Sequence, residues 1–112
     1  PLHYISTKVD LIIHHCGSGM YHFPLLYQKP AITVGTQCYD REDVAIKLQC
    51  LELSAHIPSF VDASEYTSMF IDYLEKFQNG CLCDYKMLKE YREKILIRIK
   101  KIKAIDILNI KF

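Results

Sequence analysis

Two histidines and a cysteine stand in a row at His14-His15-Cys16, Gly17-Ser18-Gly19 follows at once, and His22 comes three residues later. Three chemistries fit those residue types. Imidazoles and a thiol are zinc ligands, but adjacent side chains on a strand point to opposite faces, so His14 and His15 do not readily share one ion. The spacing also lacks the CxxC or HxxxH pattern of zinc sites. A cysteine nucleophile needs a base beside the sulfur. His15 is its neighbour in sequence, which seldom brings the ring onto the sulfur, and no acidic partner is evident. An anion cradle needs a tight turn whose backbone N–H groups face outward at a helix start, and Gly-Ser-Gly provides the turn. In that arrangement Ser18 adds a hydroxyl donor and His15 an imidazole donor. Alone, the triplet is a weak signal and fits a plain strand-to-helix turn better than a cradle.

The cradle requires particular elements around it. Residues 9–13 are apolar apart from Asp10 and rich in Val and Ile, and they predict a buried strand. Residues 31–36, AITVGT, predict a second strand beginning after Pro30. A helix between Ser18 and Lys29 completes a βαβ unit of a parallel sheet. Pro24 conflicts with a long helix there, because an interior proline removes a hydrogen bond, so the helix starts late, kinks or is short. Ligands bind such sheets at the carboxyl ends of the strands, which is where the triplet falls.

Further along, Val44, Ala45, Leu48 and Leu51 share one helical face. AHIPSF is extended, because Pro58 turns Ile57 away from helix. Asp62 followed by Glu65 resembles a capping box. The helix it opens carries Tyr66, Met69, Phe70, Tyr73, Leu74 and Phe77 on one stripe, and Asn79-Gly80 stops it. A last helix begins near Asp84, with Leu88, Tyr91, Ile95, Ile99 and Ile102 as its seam. The Lys/Glu content around ILIRI favours helix over the strand that its alternation also allows.

The chain has 112 residues, half of them apolar and 24% charged, which suits one soluble domain with a modest core. A net charge of +1 does not point to nucleic acid or anionic lipid. From Asp84 onward there are nine Lys/Arg against four Asp/Glu, read as the solvated face of one basic helix. No run approaches the roughly 18 apolar residues of a membrane span, and no secretory leader is expected. Five cysteines with no CxxC pair indicate free thiols and a reducing, cytoplasmic setting. Cys81 and Cys83 are read as small buried residues and His56 as a half-buried structural one. Tyr39 is the tyrosine best placed for ligand contact. The chain opens on Pro1 and is expected to be part of a longer protein.

Residues 9–45 resemble the donor-binding signature of the UDP-sugar glycosyltransferases, roughly HHGGSGT, E-A, G-V-P, an apolar strand, D-Q and N-A. His14-His15-Cys16-Gly17-Ser18-Gly19 stands where HHGGSG stands. Pro30 aligns with the Pro of G-V-P, Asp40 with the Asp of D-Q one residue late, and Ala45 with the Ala of N-A. Cys16 replaces a glycine, Met20 a threonine, Phe23 the glutamate of E-A, Pro24 its alanine, Gln28 and Lys29 the Gly-Val of G-V-P, and Arg41 the glutamine. The resemblance implies an α/β fold: part of a Rossmann-like parallel sheet with flanking helices and a C-terminal helical segment. Residues 1–112 would form a single, incomplete nucleotide-sugar-binding domain. It implies that His15, Gly17, Ser18 and Gly19 hold the diphosphate and that Asp40 and Arg41 lie at the sugar.

The resemblance implies no catalytic residue, metal or cofactor in this chain; the nucleotide sugar, a UDP-sugar, is the substrate. In the family the acceptor domain supplies the base, so this chain alone is expected to be inactive. A partner subunit carrying that domain would complete it, as in two-subunit relatives. The alternative is a non-catalytic interaction module that retained the fold without donor binding.

Overall fold

The computed structural model describes residues 1–17 and 19–110. Three short strands, β1 (Ile12–His14), β2 (Ala31–Val34) and β3 (Ala55–Ile57), form one parallel sheet in the order β1-β2-β3. Ile12 pairs with Ala31, and Thr33 lies between His14 on one side and His56 on the other. The helices are α1 (Leu2–Lys8), α2 (His22–Tyr27), α3 (Tyr39–Cys50), α4 (Ala63–Gln78) and α5 (Tyr85–Ile110). The mixed α/β architecture matches the expected fold class.

Alternation along the strands gives the sheet two unlike faces. On one face Ile32, Ala55 and Ile57 pack under Met69, Phe70, Tyr73, Leu74 and Phe77 of α4, the stripe foreseen in the sequence. On the other, Ala45 and Leu48 of α3, Leu25 of α2 and Leu88 of α5 form a second cluster. Leu88 is fully buried, a contribution of about 2 kcal/mol from transfer alone. Ile13 belongs to the α4 side of the sheet but lies on the edge strand, and it is 48% exposed.

Proline explains why α2 is only six residues long. Pro24 is its third residue, inside the first turn, where backbone N–H groups have no helical acceptor. Gln28 then ends the helix at φ 54°, and Lys29 N–H closes on Pro24 O at 2.9 Å. Arg92 of α5 donates from Nε to Leu26 O at 2.8 Å, satisfying a carbonyl that the short helix leaves free. The strand expected from Val9 begins at Ile12 instead: α1, which the apolar pattern does not announce, ends at Lys8, and residues 9–11 form the link from it to the sheet. Ser6 and Thr7 hydroxyls donate back to Leu2 O and Tyr4 O within α1.

The other boundaries follow their local signals. Asp62 accepts from Glu65 N–H at 2.8 Å and caps α4, and Gly80 leaves the helix at φ 73°. Asp84 accepts from the N–H groups of Lys86 and Met87 and starts α5. Residues 95–99 are helical rather than strand. With 26 residues, α5 is about 39 Å long and outruns the body it packs on. The molecule measures 59 × 30 × 27 Å with a radius of gyration of 16.0 Å, against about 13 Å for a compact chain of this length.

Candidate functional site at the carboxyl end of the sheet

The bend after β1 is built from left-handed backbone. Cys16 has φ 57° and Gly19 φ 78°. For cysteine this conformation costs roughly 1–2 kcal/mol, so the bend keeps a glycine-like path without the glycine. Cys16 N–H donates to Nδ1 of His14 at 3.0 Å, which leaves the proton of a neutral His14 ring on Nε2. Burial first, and then the neighbouring His15, lower the His14 pKa to about 4. Met20 N–H donates to Gly17 O at 2.9 Å and His22 N–H to Gly19 O at 3.3 Å. The bend therefore uses part of its own donor set. Ser18, expected at the diphosphate, lies outside the described residues.

His14 is buried and His15 exposed, as strand alternation requires. The His15 ring lies over Gly17, where an added Cβ would sit 2.7 Å from Cε1 of the ring. Beside Gly19 there is open space, with nothing within 4 Å of an added Cβ. The Cys16 thiol is buried, and its pKa is raised by desolvation and then by Glu42, so it stays protonated. Among the described residues no group of three or more His, Cys, Asp or Glu is arranged around a metal position.

The first turn of α3 reaches the same end of the sheet. Arg41 Nη1 lies 3.4 Å from Nδ1 of His15, joining residues 26 apart in sequence. Asp40 is exposed on that turn, and Tyr39 before it is 88% exposed. Phe60, on the loop after β3, is similarly exposed. Of the expected site residues, the structure brings Arg41 to His15 and lays the His15 ring over the buried Gly17; Asp40 is exposed on the turn that carries Arg41, and Gly19 faces open space.

Beneath these residues lies a network the sequence did not announce. His56, 3% exposed, bonds through Nε2 to Glu42 Oε2 at 2.7 Å and through Nδ1 to Thr33 Oγ1 at 2.7 Å. Glu42 Oε1 accepts from Ser59 N–H at 3.2 Å. Burial pushes the Glu42 carboxyl up, but the hydrogen bond and charge of His56 and donation from Ser59 outweigh it and hold it below the usual value. The backbone of His56 is gripped too: its N–H donates to Gln49 Oε1 at 2.7 Å, and Tyr73 donates its hydroxyl to His56 O at 2.8 Å. His56 is thus fully built into the sheet rather than half-buried. Gly35 makes the approach possible, since a Cβ there would lie 2.0 Å from Glu42 Oε1 and 2.3 Å from Ser59 N.

A cavity of about 660 Å³ opens at the opposite, amino end of β3, bordered by Gln49, Glu52, Ser54, Tyr73 and Cys83. Ser54 Oγ is buried there without a hydrogen-bond partner. Cys81 on its rim is exposed, contrary to its reading as a buried residue, because the loop after Gly80 turns it outward. Cys83 is half-buried, and burial followed by the Asp84 charge raises its thiol pKa to about 11. All five cysteines are free. No helix among the described residues is long and apolar enough to cross a membrane.

No family model matches this chain, and no curated protein matches it.

Proposed function

We propose that this chain is the donor-binding part of a glycosyltransferase that moves a sugar from a nucleotide diphosphate to an acceptor hydroxyl, inactive by itself. The observation that carries the reading is the meeting of Arg41 with His15, whose ring lies over Gly17, at the carboxyl end of a parallel sheet. A diphosphate is bound by cationic and N–H donors that converge from a strand end and the next helix. Arg41 brings a permanent charge to a place where the resembling family has a neutral glutamine. It offsets the amide that Cys16 gives to His14. Asp40, on the same turn, is a carboxylate acceptor for sugar hydroxyls.

The uncovered Ile13 on the edge strand supports a partner subunit docking there, one that carries the acceptor domain and the base. Five free thiols support a cytoplasmic setting.

One observation favours the other reading, a non-catalytic module with the fold and no donor site: the bend satisfies several of its own amides. Titration with UDP, UDP-glucose and UDP-N-acetylglucosamine separates the two. Saturable binding weakened by Arg41→Ala supports the donor site. Absence of binding to all of them, with the partner present, supports the module.

A further inference from the structure

The seam of α5 is covered only in its first half. Leu88, Tyr91 and Ile95 pack against the body, whereas Ile102 is 52% exposed and Ile99 is exposed as well. Lysine stems therefore do not cover the apolar surface here, as the solvated-face reading required. Residues 94–105 hold five Lys/Arg and no Asp/Glu, although the whole chain carries only +1. At about 100° per residue, Ile102, Ile95, Ile99 and Leu96 fall on an arc of roughly 120°, and Lys94, Arg98 and Lys101 form a stripe along its border. Lys94, Arg98 and Lys101 line a groove of about 380 Å³ with Tyr91, Ile95 and Ile97.

We propose that the distal half of α5 lies on an anionic lipid bilayer surface, with Ile99 and Ile102 at the acyl boundary and Lys94, Arg98 and Lys101 at the headgroups. Both halves of the pattern are needed for this choice. Nucleic acid would use the cations and leave the isoleucines in water. An apolar protein groove would use the isoleucines and leave Lys94, Arg98 and Lys101 unmatched. A bilayer interface takes both, because long cationic side chains reach the headgroups while their stems stay with the apolar face. The helix is too charged to cross the bilayer, so it rests on it. The proposal does not depend on the sugar-nucleotide reading.

Flotation of the full chain with phosphatidylcholine vesicles, with and without roughly one third phosphatidylserine, tests it. Binding is expected only with the anionic lipid, and the triple variant Lys94→Gln, Arg98→Gln, Lys101→Gln is expected to weaken it about 100-fold. Ile99→Ser with Ile102→Ser, both at exposed positions, is expected to weaken vesicle binding at least about tenfold while leaving binding to heparin unchanged. Far-UV circular dichroism establishes that each variant is folded. Any one of three results overturns the proposal: no binding to anionic vesicles, vesicle binding indifferent to the isoleucines, or a dimer in light scattering that Ile102→Ser dissociates while the charge variant binds vesicles normally.

Discussion

Glu42 and His56, fourteen residues apart, share a 2.7 Å hydrogen bond under the carboxyl end of the sheet. The bond ties the first turn of α3 to β3, and through Ser59 it fixes the loop that follows β3. The turn so held is the one carrying Asp40 and Arg41. Replacing Glu42 by Ala leaves a buried imidazole without its partner, and a loss of about 2 kcal/mol is expected in urea unfolding. Glu42→Gln, which keeps an acceptor, is expected to lose less than half of that. Equal losses for the two would contradict the role given to the acceptor.

The buried His14 gives stability a pH dependence of definite sign. Above its ordinary value of 6.5 the ring is neutral in both folded and unfolded chains; as pH falls toward about 4, only the unfolded chain takes up the proton. Stability is therefore full above pH 6.5 and is lost progressively down to pH 4, by no more than about 3 kcal/mol from this group. Glu42, whose pKa is lowered, contributes above its ordinary value of 4.5 and loses that contribution below it. Urea midpoints from pH 7 to pH 4 should fall for the native chain and fall less for His14→Asn, which keeps an acceptor for Cys16 N–H. An identical slope for both would remove His14 as the source.

Two glycines should respond in opposite ways. A methyl group at Gly35 runs into the backbone of Ser59 as well as Glu42, so Gly35→Ala is expected to cost at least about 3 kcal/mol or to prevent folding. Gly19 has open space and a positive φ, so Gly19→Asn, which tolerates that conformation, is expected to cost under about 1 kcal/mol. Thermal unfolding of the two variants compares them directly. A larger loss at Gly19 would contradict the packing around Glu42.

The two halves of α5 should also separate. Leu88→Ala removes a fully buried side chain and is expected to cost about 2–5 kcal/mol. Ile102→Ser, at an exposed position, is expected to change stability by less than about 0.5 kcal/mol. Chemical denaturation of the pair checks this; similar losses would place Ile102 in the folded core.

What the sequence made legible follows from local physics. Asp62, Asn79-Gly80 and Asp84 mark helix ends because capping is decided within a few residues. The parallel pairing follows from a βαβ spacing, and the α4 stripe from its period. Pro24 permits a short, late or kinked α2, and the structure takes the short one. Helix α1 was not legible, because LHYISTK has no apolar period and is held by contacts with α2, including His3 Nδ1 to the Tyr27 hydroxyl. Nor was the Glu42–His56–Thr33 network. Its members lie on three elements, and only the folded sheet register brings Thr33 beside His56. The polar Thr33 and His56 within otherwise apolar strands were the one available signal. His15 and Arg41 came from the resemblance as two separate expectations, and their contact is a fact of the fold.

The most direct measurement is a titration of the full chain, isotopically labelled, with UDP and UDP-glucose, following backbone amide shifts. Saturable shifts centred on His15, Gly17, Gly19 and Arg41, with affinity falling about tenfold in Arg41→Ala, are the expected result. Amides in that bend that stay unmoved by either nucleotide, while the chain is folded and its proposed partner is present, would contradict the donor site.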